Sequence, residues 1–485
     1  MKIRTLFFGF TLCFLLVSNS FSQTPSDFPS LEPFIDFKYS SPTLTPRQII
    51  TSALYFSMYP NLDAATLIKY VSRYEELEAR VKSERFQKYS DRVKAEEVLL
   101  LMYEKTLRRY SGKQTRLTKL FDDGTYNCVS SSILYLALAK AAGLQVFANR
   151  VPEHCFCSVL IDGNIVDVET TNPMGFNNGE KKLSRGNGSD REYAVINTSK
   201  YKGRYVISDA MLSSLVALNI GSMYIESKDY AESAKIAIAR YAFIKDDGIS
   251  QMNDGRFFLD LGITNFASIL QGRNRYYDAM LWVESAIKRW GSSKELEDCH
   301  ANTVYNVAIH YLNERKVDEA DALIELHRND LENKVYEELL DFAFVSRSFD
   351  DVQKLKSPDE KLSYLRKRKQ NPRASKKKIL SKLNELMEES WLDKINVLAN
   401  DEKFYEAAEL CNKALEDLPG DSLIRKQRQI CLKNFDAIVH NKFADLVNGG
   451  RYADAEKTLN EGLKKNPESS VLKKDLAKLK KIMGN

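Results

Sequence analysis

A chain of 485 residues, 44% of them apolar, carries enough hydrophobic side chains for several packed cores, and its length corresponds to about three folding units. The 71 Lys and Arg exceed the 66 Asp and Glu by only five, too mild a balance to indicate nucleic acid, and seven scattered cysteines make no disulfide framework. With no Gly-rich phosphate loop, zinc-ligand spacing or calcium loop, neither a metal nor a nucleotide cofactor is expected.

Lys2 and Arg4 precede an apolar run over 6–17, with small residues at Ser20 and Ser22. This pattern predicts a cleavable signal peptide over 1–22 and delivery to a periplasm or the exterior. Residues 23–45 hold Pro25, Pro29, Pro33 and Pro42 among serines and predict a mobile spacer. From 46 to 121 the apolar residues recur at helical period, which predicts a helical part of the catalytic unit.

The core of that unit is expected over 122–205. In Asp122-Asp123-Gly124-Thr125-Tyr126-Asn127 the acids, Gly and Thr are helix-start residues, an Ala/Leu-rich run follows to Ala142, and Gly143 stops it. Cys128 therefore falls in a first helical turn, where unpaired N–H groups and the positive end of the helix dipole favour the nucleophilic thiolate. Pro152-Glu153-His154 then leads into a hairpin with its turn at Asp162-Gly163-Asn164. His154 supplies a base with a pKa near neutrality, and Asp167 or Glu169 on the returning strand could orient its ring, which is the logic of a nucleophile, base and orienter. Strand alternation places His154, Asp167 and Glu169 on one face, with Glu169 the nearer acid, and turns Cys155 and Cys157 to the other face. A lone cysteine on an apolar helix is ordinarily a small buried hydrophobe; the neighbouring histidine and acids set this one apart.

These residues resemble the bacterial transglutaminase-like fold, itself related to papain-type cysteine peptidases. The resemblance is carried by Tyr126-Asn127-Cys128-Val129-Ser130-Ser131-Ser132, Leu136-Ala137-Leu138-Ala139-Lys140-Ala141-Ala142-Gly143-Leu144, Pro152-Glu153-His154 and Val166-Asp167-Val168-Glu169-Thr170-Thr171-Asn172-Pro173. It implies an α+β domain in which a helix packs on an antiparallel sheet, with Cys128 as nucleophile and His154 as base. Phe156 stands where the family often has Trp, and Glu169-Thr170-Thr171 stands where it commonly has Asp-x-Thr. The chemistry implied is attack on an amide carbonyl to give a thioester, resolved by water or by a second amine.

Beyond 205 the text turns helical. An aromatic or aliphatic residue recurs three positions before a small one: Tyr230/Ser233, Tyr276/Ala279, Val317/Ala320, Phe404/Ala407 and Tyr452/Ala455. Together with Trp391, Pro419 and Pro467, this resembles degenerate tetratricopeptide repeats and predicts an α-helical solenoid over 206–485 that binds a protein partner. Residues 361–382 contain ten Lys or Arg and no acid, a stretch that could touch an anionic surface. The whole reads as a secreted cysteine amidase, peptidase or acyltransferase acting on a protein or peptide. The alternative is a scaffold whose repeats do the binding and whose thiol site is vestigial.

Overall fold

The computed structural model describes residues 28–37, 43–176 and 201–484. The signal peptide expected over 1–22 lies outside the described residues. The chain divides into two compact units, Met1–His300 and Ala301–Asn485. It is mostly helical with a small antiparallel sheet, and no helix among the described residues is long and apolar enough to cross a membrane.

The first unit begins with α1 (Pro46–Met58), opened by a reciprocal cap between Thr45 and Gln48. Then come α2 (Ala64–Val81), α3 (Glu84–Gln87), α4 (Asp91–Lys105), the short β1 (Arg109–Tyr110), α5 (Leu117–Asp123), β2 (Thr125–Tyr126) and α6 (Cys128–Ala141). Strands β1 and β2 pair in parallel, with Tyr110 beside Tyr126. Every residue of α6 from Val129 to Ala139 is buried, because α1, α2 and α4 cover it on one side and the sheet on the other. A helix buried all round needs no amphipathic stripe, which accounts for the unbroken apolar run from Ile133 to Ala139.

The sheet is antiparallel, in the order β5-β4-β3-β6, from β3 (Val146–Val151), β4 (His154–Ile161), β5 (Asn164–Val168) and β6 (Tyr205–Ile207). Two tight turns fix its register. Val151 pairs with His154 across Pro152-Glu153, where proline presets the first turn residue and Glu153 takes a positive φ of 63°. Ile161 pairs with Asn164 across Asp162-Gly163, both at positive φ, the twist-matched geometry of a two-residue hairpin.

The expected boundary at 205/206 does not separate two cores. Helix α7 (Asp209–Glu226) lies on α1 and α6, and Leu212, Val216 and Ile220 belong to the same hydrophobic core as Ile133 and Leu136. Asp209 ties the junction together: it accepts from the Leu44 N–H at 2.8 Å and pairs with Lys140 of α6. Helices α8 (Tyr230–Ile244), α9 (Ile249–Gly272) and α10 (Tyr276–Trp290) continue the unit, and the division falls inside α11 (Lys294–Asn313).

The expected mobile spacer is also corrected over its described part. Phe37 packs tilted against Phe243 with centroids 4.2 Å apart, the Leu31 carbonyl accepts from the Trp290 indole at 3.1 Å, and Glu32 binds Arg289 through both carboxylate oxygens. The prolines keep 28–37 out of regular structure, while its interleaved Phe28, Leu31, Phe34 and Phe37 find apolar surface to cover.

The second unit is α-helical: α12 (Val317–Leu326), α13 (Asn333–Lys354), α14 (Pro358–Lys369), α15 (Lys377–Asn400), α16 (Phe404–Asp417), α17 (Ser422–Asn448), α18 (Tyr452–Lys465) and α19 (Ser470–Met483). Each apolar residue singled out by the recurring pattern, Tyr230, Tyr276, Val317, Phe404 and Tyr452, opens a helix, and its small partner three positions on is fully buried. The turn before each is the same. Lys228, Asn274, Arg315, Glu402 and Gly450 take a positive φ, and the next N–H reaches back five residues, as from Asp229 to Tyr224 and from Arg451 to Leu446, at 2.8 Å each. This left-handed helix stop satisfies the last carbonyls of one helix and launches the next at a fixed angle.

The basic stretch 361–382 spans α14 and the start of α15, and much of its charge is used within the unit. Arg366 binds Asp417, Arg373 binds Glu337 and Asp341, Lys376 binds Asp341, Lys382 binds Glu385, and Lys361 lies 3.8 Å from Asp393. Arg368 lies over the Phe344 ring and donates to the Phe344 carbonyl.

Candidate active site

Cys128 is the first residue of α6, so its backbone N–H has no partner inside the helix. Asn127 caps the next two: its side-chain oxygen accepts from Val129 N–H at 3.1 Å and Ser130 N–H at 3.0 Å, and in return Asn127 N–H donates to Ser130 Oγ at 3.0 Å. The cap fixes the helix start, and the thiol therefore sits at the positive end of fourteen aligned peptide dipoles.

His154 is the first residue of β4, immediately after the Pro152-Glu153 turn. Its Nε2 lies 2.8 Å from Glu169 Oε2, which leaves Nδ1 as the ring nitrogen available to Cys128 in the cleft that both residues line. Glu169 follows the last residue of β5 and is 1% exposed. Its carboxylate is fully engaged: Oε2 also accepts from the Tyr201 hydroxyl at 2.6 Å, and Oε1 accepts from Thr171 N–H at 3.1 Å and Thr171 Oγ1 at 2.7 Å. Burying a carboxylate is costly unless such bonds satisfy it. The Gly175 carbonyl folds back to accept from Glu169 N–H, and an added Cβ on Gly175 would stand 1.9 Å from the Glu169 carbonyl oxygen, so only glycine fits this turn.

The segment 169–171 is held from a second side. Thr170 Oγ1 lies 2.9 Å from both Ser131 Oγ and Ser132 Oγ of α6, Tyr103 donates to the Thr170 carbonyl at 3.0 Å, and Tyr126 donates to the Thr171 carbonyl at 3.2 Å. The acid is thereby positioned by the helix that carries the cysteine. Phe156 stacks on Tyr201 with centroids 4.0 Å apart, and both rings lie nearly parallel to the His154 imidazole.

The electrostatics favour an ion pair between thiolate and imidazolium. A hydrogen bond with the Cys155 thiol holds Cys128 well below the usual thiol value, against the opposing effect of burial, and the His154 hydrogen bond and charge lower it further. Burial pushes His154 down, but its bonds to Cys128 and Glu169 outweigh this and raise it to about 9. Burial pushes Glu169 up, and His154, Tyr201 and Thr171 together hold it below the ordinary carboxylate value.

Of the residues expected from the sequence, Cys128, His154 and Glu169 come together, and Asp167 does not join them. Asp167 is paired with Arg204, whose Nη1 lies 2.6 and 2.5 Å from its two oxygens. It pairs with Ser158 in the ladder, four residues along β4 from His154, and this distance takes it out of reach. Cys155 is a second correction. It is buried, as alternation implies, but α6 packs on that face of the sheet, with Ser132 donating to the Cys155 carbonyl, so the Cys155 thiol meets Cys128 and does not turn away from the site.

Cys155, Tyr201, Tyr103 and Thr170 are contributors that sequence reasoning did not assign. The one available signal was Ser130-Ser131-Ser132, a polar run in a helix otherwise built for burial. A cleft of about 530 Å³ opens over Cys128, His154 and Cys155, walled by Tyr110, Lys113 and Glu153 on one side and by Leu215, Leu218 and Met223 of α7 on the other. No family model, curated protein or solved structure matches the chain.

Proposed function

We propose that the chain is a cysteine-dependent enzyme acting on amide bonds, of the transglutaminase-like, papain-related type, exported through its amino-terminal segment and carrying helical pairs similar to tetratricopeptide repeats that receive a protein or peptide. One observation carries the reading: Cys128 at a capped helix start faces a histidine whose other ring nitrogen is held by a buried, fully bonded glutamate.

The thiolate of Cys128 attacks the amide carbonyl carbon, and the carbonyl electron pair moves to oxygen. His154, protonated at rest, gives its proton to the leaving nitrogen as the C–N bond breaks, and a thioester remains. Water or an amine, deprotonated by the now neutral His154, then attacks the thioester; the C–S bond breaks, the acyl group leaves, and the thiolate and protonated His154 are regenerated. Glu169 keeps the imidazole in the required orientation and stabilises its charge. Cys128 is a free thiol and lines an open cleft, which supports an enzyme over a vestigial site.

Iodoacetamide labelling across pH tests the reading. Cys128 should label faster than Cys299, Cys411 and Cys431 at neutral pH, and His154→Ala should remove that advantage. If Cys299 or Cys411 reacts first in the folded protein, the assignment is wrong.

A further inference from the structure

The site as described lacks one element of acyl-transfer chemistry, the groups that hold the negative oxygen of the tetrahedral intermediate. The backbone N–H of Cys128 is one, because the helix cannot use it. We infer that the Tyr110 hydroxyl is the second oxyanion donor and that Tyr110 is a catalytic residue; the inference rests on the enzyme reading above.

Three features of the fold place Tyr110 there. Strand β1 runs parallel to β2, with Tyr110 beside Tyr126, two residues before Cys128. The strand is locked against the helix start: Ser111 N–H donates to the Tyr126 carbonyl at 2.8 Å, and Asn127 Nδ2 donates to the Gly112 carbonyl at 3.4 Å. The Tyr110 ring packs edge-on against Tyr126, at 5.8 Å and 78°, and lines the cleft with Cys128 and His154.

Its chemistry fits the role. Tyr103 and Tyr126, the neighbouring phenols, both spend their hydroxyls on the backbone of 170–171, whereas the Tyr110 hydroxyl makes no hydrogen bond among the described residues. Burial and then the nearby Cys128 and Glu169 charges push its titration up to about 12, so at neutral pH it is a proton-bearing donor beside the nucleophile. It gives a hydrogen bond and keeps its proton throughout. As the C–S bond forms, the carbonyl pair shifts to oxygen, the oxyanion is held by Cys128 N–H and Tyr110 O–H, and its collapse expels the leaving group.

Two reagents separate this role from packing. Acylation by p-nitrophenyl acetate passes through an oxyanion; alkylation by iodoacetamide displaces iodide at an sp³ carbon and does not. Both rates are measured at Cys128 in the full, folded chain, so that thiols exposed by unfolding do not enter the ratio. Tyr110→Phe should lower the acylation-to-alkylation ratio by roughly 10²–10³, the usual cost of one oxyanion donor, with alkylation changed less than about twofold. An unchanged ratio overturns the proposal. Should the Phe variant fail to fold, Tyr110→Gln and Tyr110→Leu compare a side chain with a donor against one without; a ratio at least about tenfold higher in Gln supports the role, and equal ratios overturn it. A wild-type Cys128 that neither alkylates preferentially nor acylates overturns the enzyme reading itself, and this inference with it.

Discussion

Tyr201 and His154 share one oxygen: the phenolic hydroxyl donates to Glu169 Oε2 at 2.6 Å while the imidazole Nε2 lies 2.8 Å from the same atom. Tyr201 therefore helps to set both the position and the acidity of the group behind the base. The Glu169 carboxyl titrates lower in the folded chain than its ordinary value, so the stability it contributes is present above that ordinary value and is lost as pH falls through the folded one. Tyr201→Phe keeps the stack on Phe156 and removes one bond holding the carboxyl down. The variant should lose about 1–2 kcal/mol in urea unfolding and denature at a higher pH in an acid titration followed by circular dichroism. Superimposable acid transitions would remove the role given to the hydroxyl.

The ion pair sets a window for chemistry. Cys128 is shifted down and His154 up to about 9, so the thiolate should persist well below the pH at which an ordinary thiol protonates while the imidazolium survives to about pH 9. Alkylation of Cys128, which needs only the thiolate, should stay high above pH 9. Cleavage of an anilide, which needs the imidazolium proton for the leaving nitrogen, should fall there. Parallel profiles for the two reactions would contradict the assignment of His154 as the acid.

The two acids are distinguished by conservative amides. Glu169→Gln removes the charge facing Nε2 and should slow anilide cleavage by roughly 10²–10⁴-fold. Asp167→Asn weakens only a half-exposed pair with Arg204 and should leave the rate within about twofold, since such pairs contribute little. Comparable losses in both variants would mean that the pairing of His154 with Glu169 is not the working geometry.

Cys155 is the first contributor to the low titration of Cys128. Cys155→Ala should raise the apparent pKa of Cys128 and slow its iodoacetamide labelling on the acid side of the pH profile, with convergence to the wild-type rate in alkali. A labelling profile unmoved along the pH axis would show that the neighbouring thiol does not act on the nucleophile.

The core of the first unit fixes where the chain can be cut. A fragment ending at 205 loses Leu212, Val216 and Ile220, at roughly 2–5 kcal/mol for each large apolar side chain, a sum of the same size as the whole stability of an ordinary domain. It should show no cooperative thermal transition, whereas a fragment ending at Ser293 keeps α7 to α10 and should melt cooperatively.

What could be read from the text followed local rules. The hairpin register was legible because a two-residue turn with Gly163 fixes strand pairing, and the register in turn separated Glu169 from Asp167. The position of α6 was legible from its Ala/Leu-rich run, although Asp122, Asp123 and Gly124, read as helix-start residues, in fact end α5, and the cap of α6 is Asn127; the helical pairs were legible from Tyr230/Ser233 and its counterparts, since a small residue is needed where helices approach. Long-range packing was not legible. Nothing in the local pattern tells that α6 covers the Cys155 face, that Tyr201 crosses 32 residues to reach Glu169, or that the basic residues near 366 meet Asp417. The aromatic residues between the prolines of 28–37 were outweighed by the prolines themselves, which report the absence of a helix and say nothing of burial.

The packing of 28–37 on α8 and α10 has a consequence for the order of events as the chain is made. Arg289 and Trp290 are 257 and 259 residues from their partners Glu32 and Leu31. The earliest part of this segment to emerge from the ribosome therefore waits for some of the latest parts of its unit before it has anything to bind. Closing a loop of that length costs only logarithmically more entropy than closing a short one, but pairing between such distant residues is slow. Phe34 and Phe37 meet Tyr59 and Phe56 early, but until α10 has been synthesised Phe28 lacks Trp282 and Leu31 lacks Trp290, leaving apolar surface available to any chaperone that follows the nascent chain.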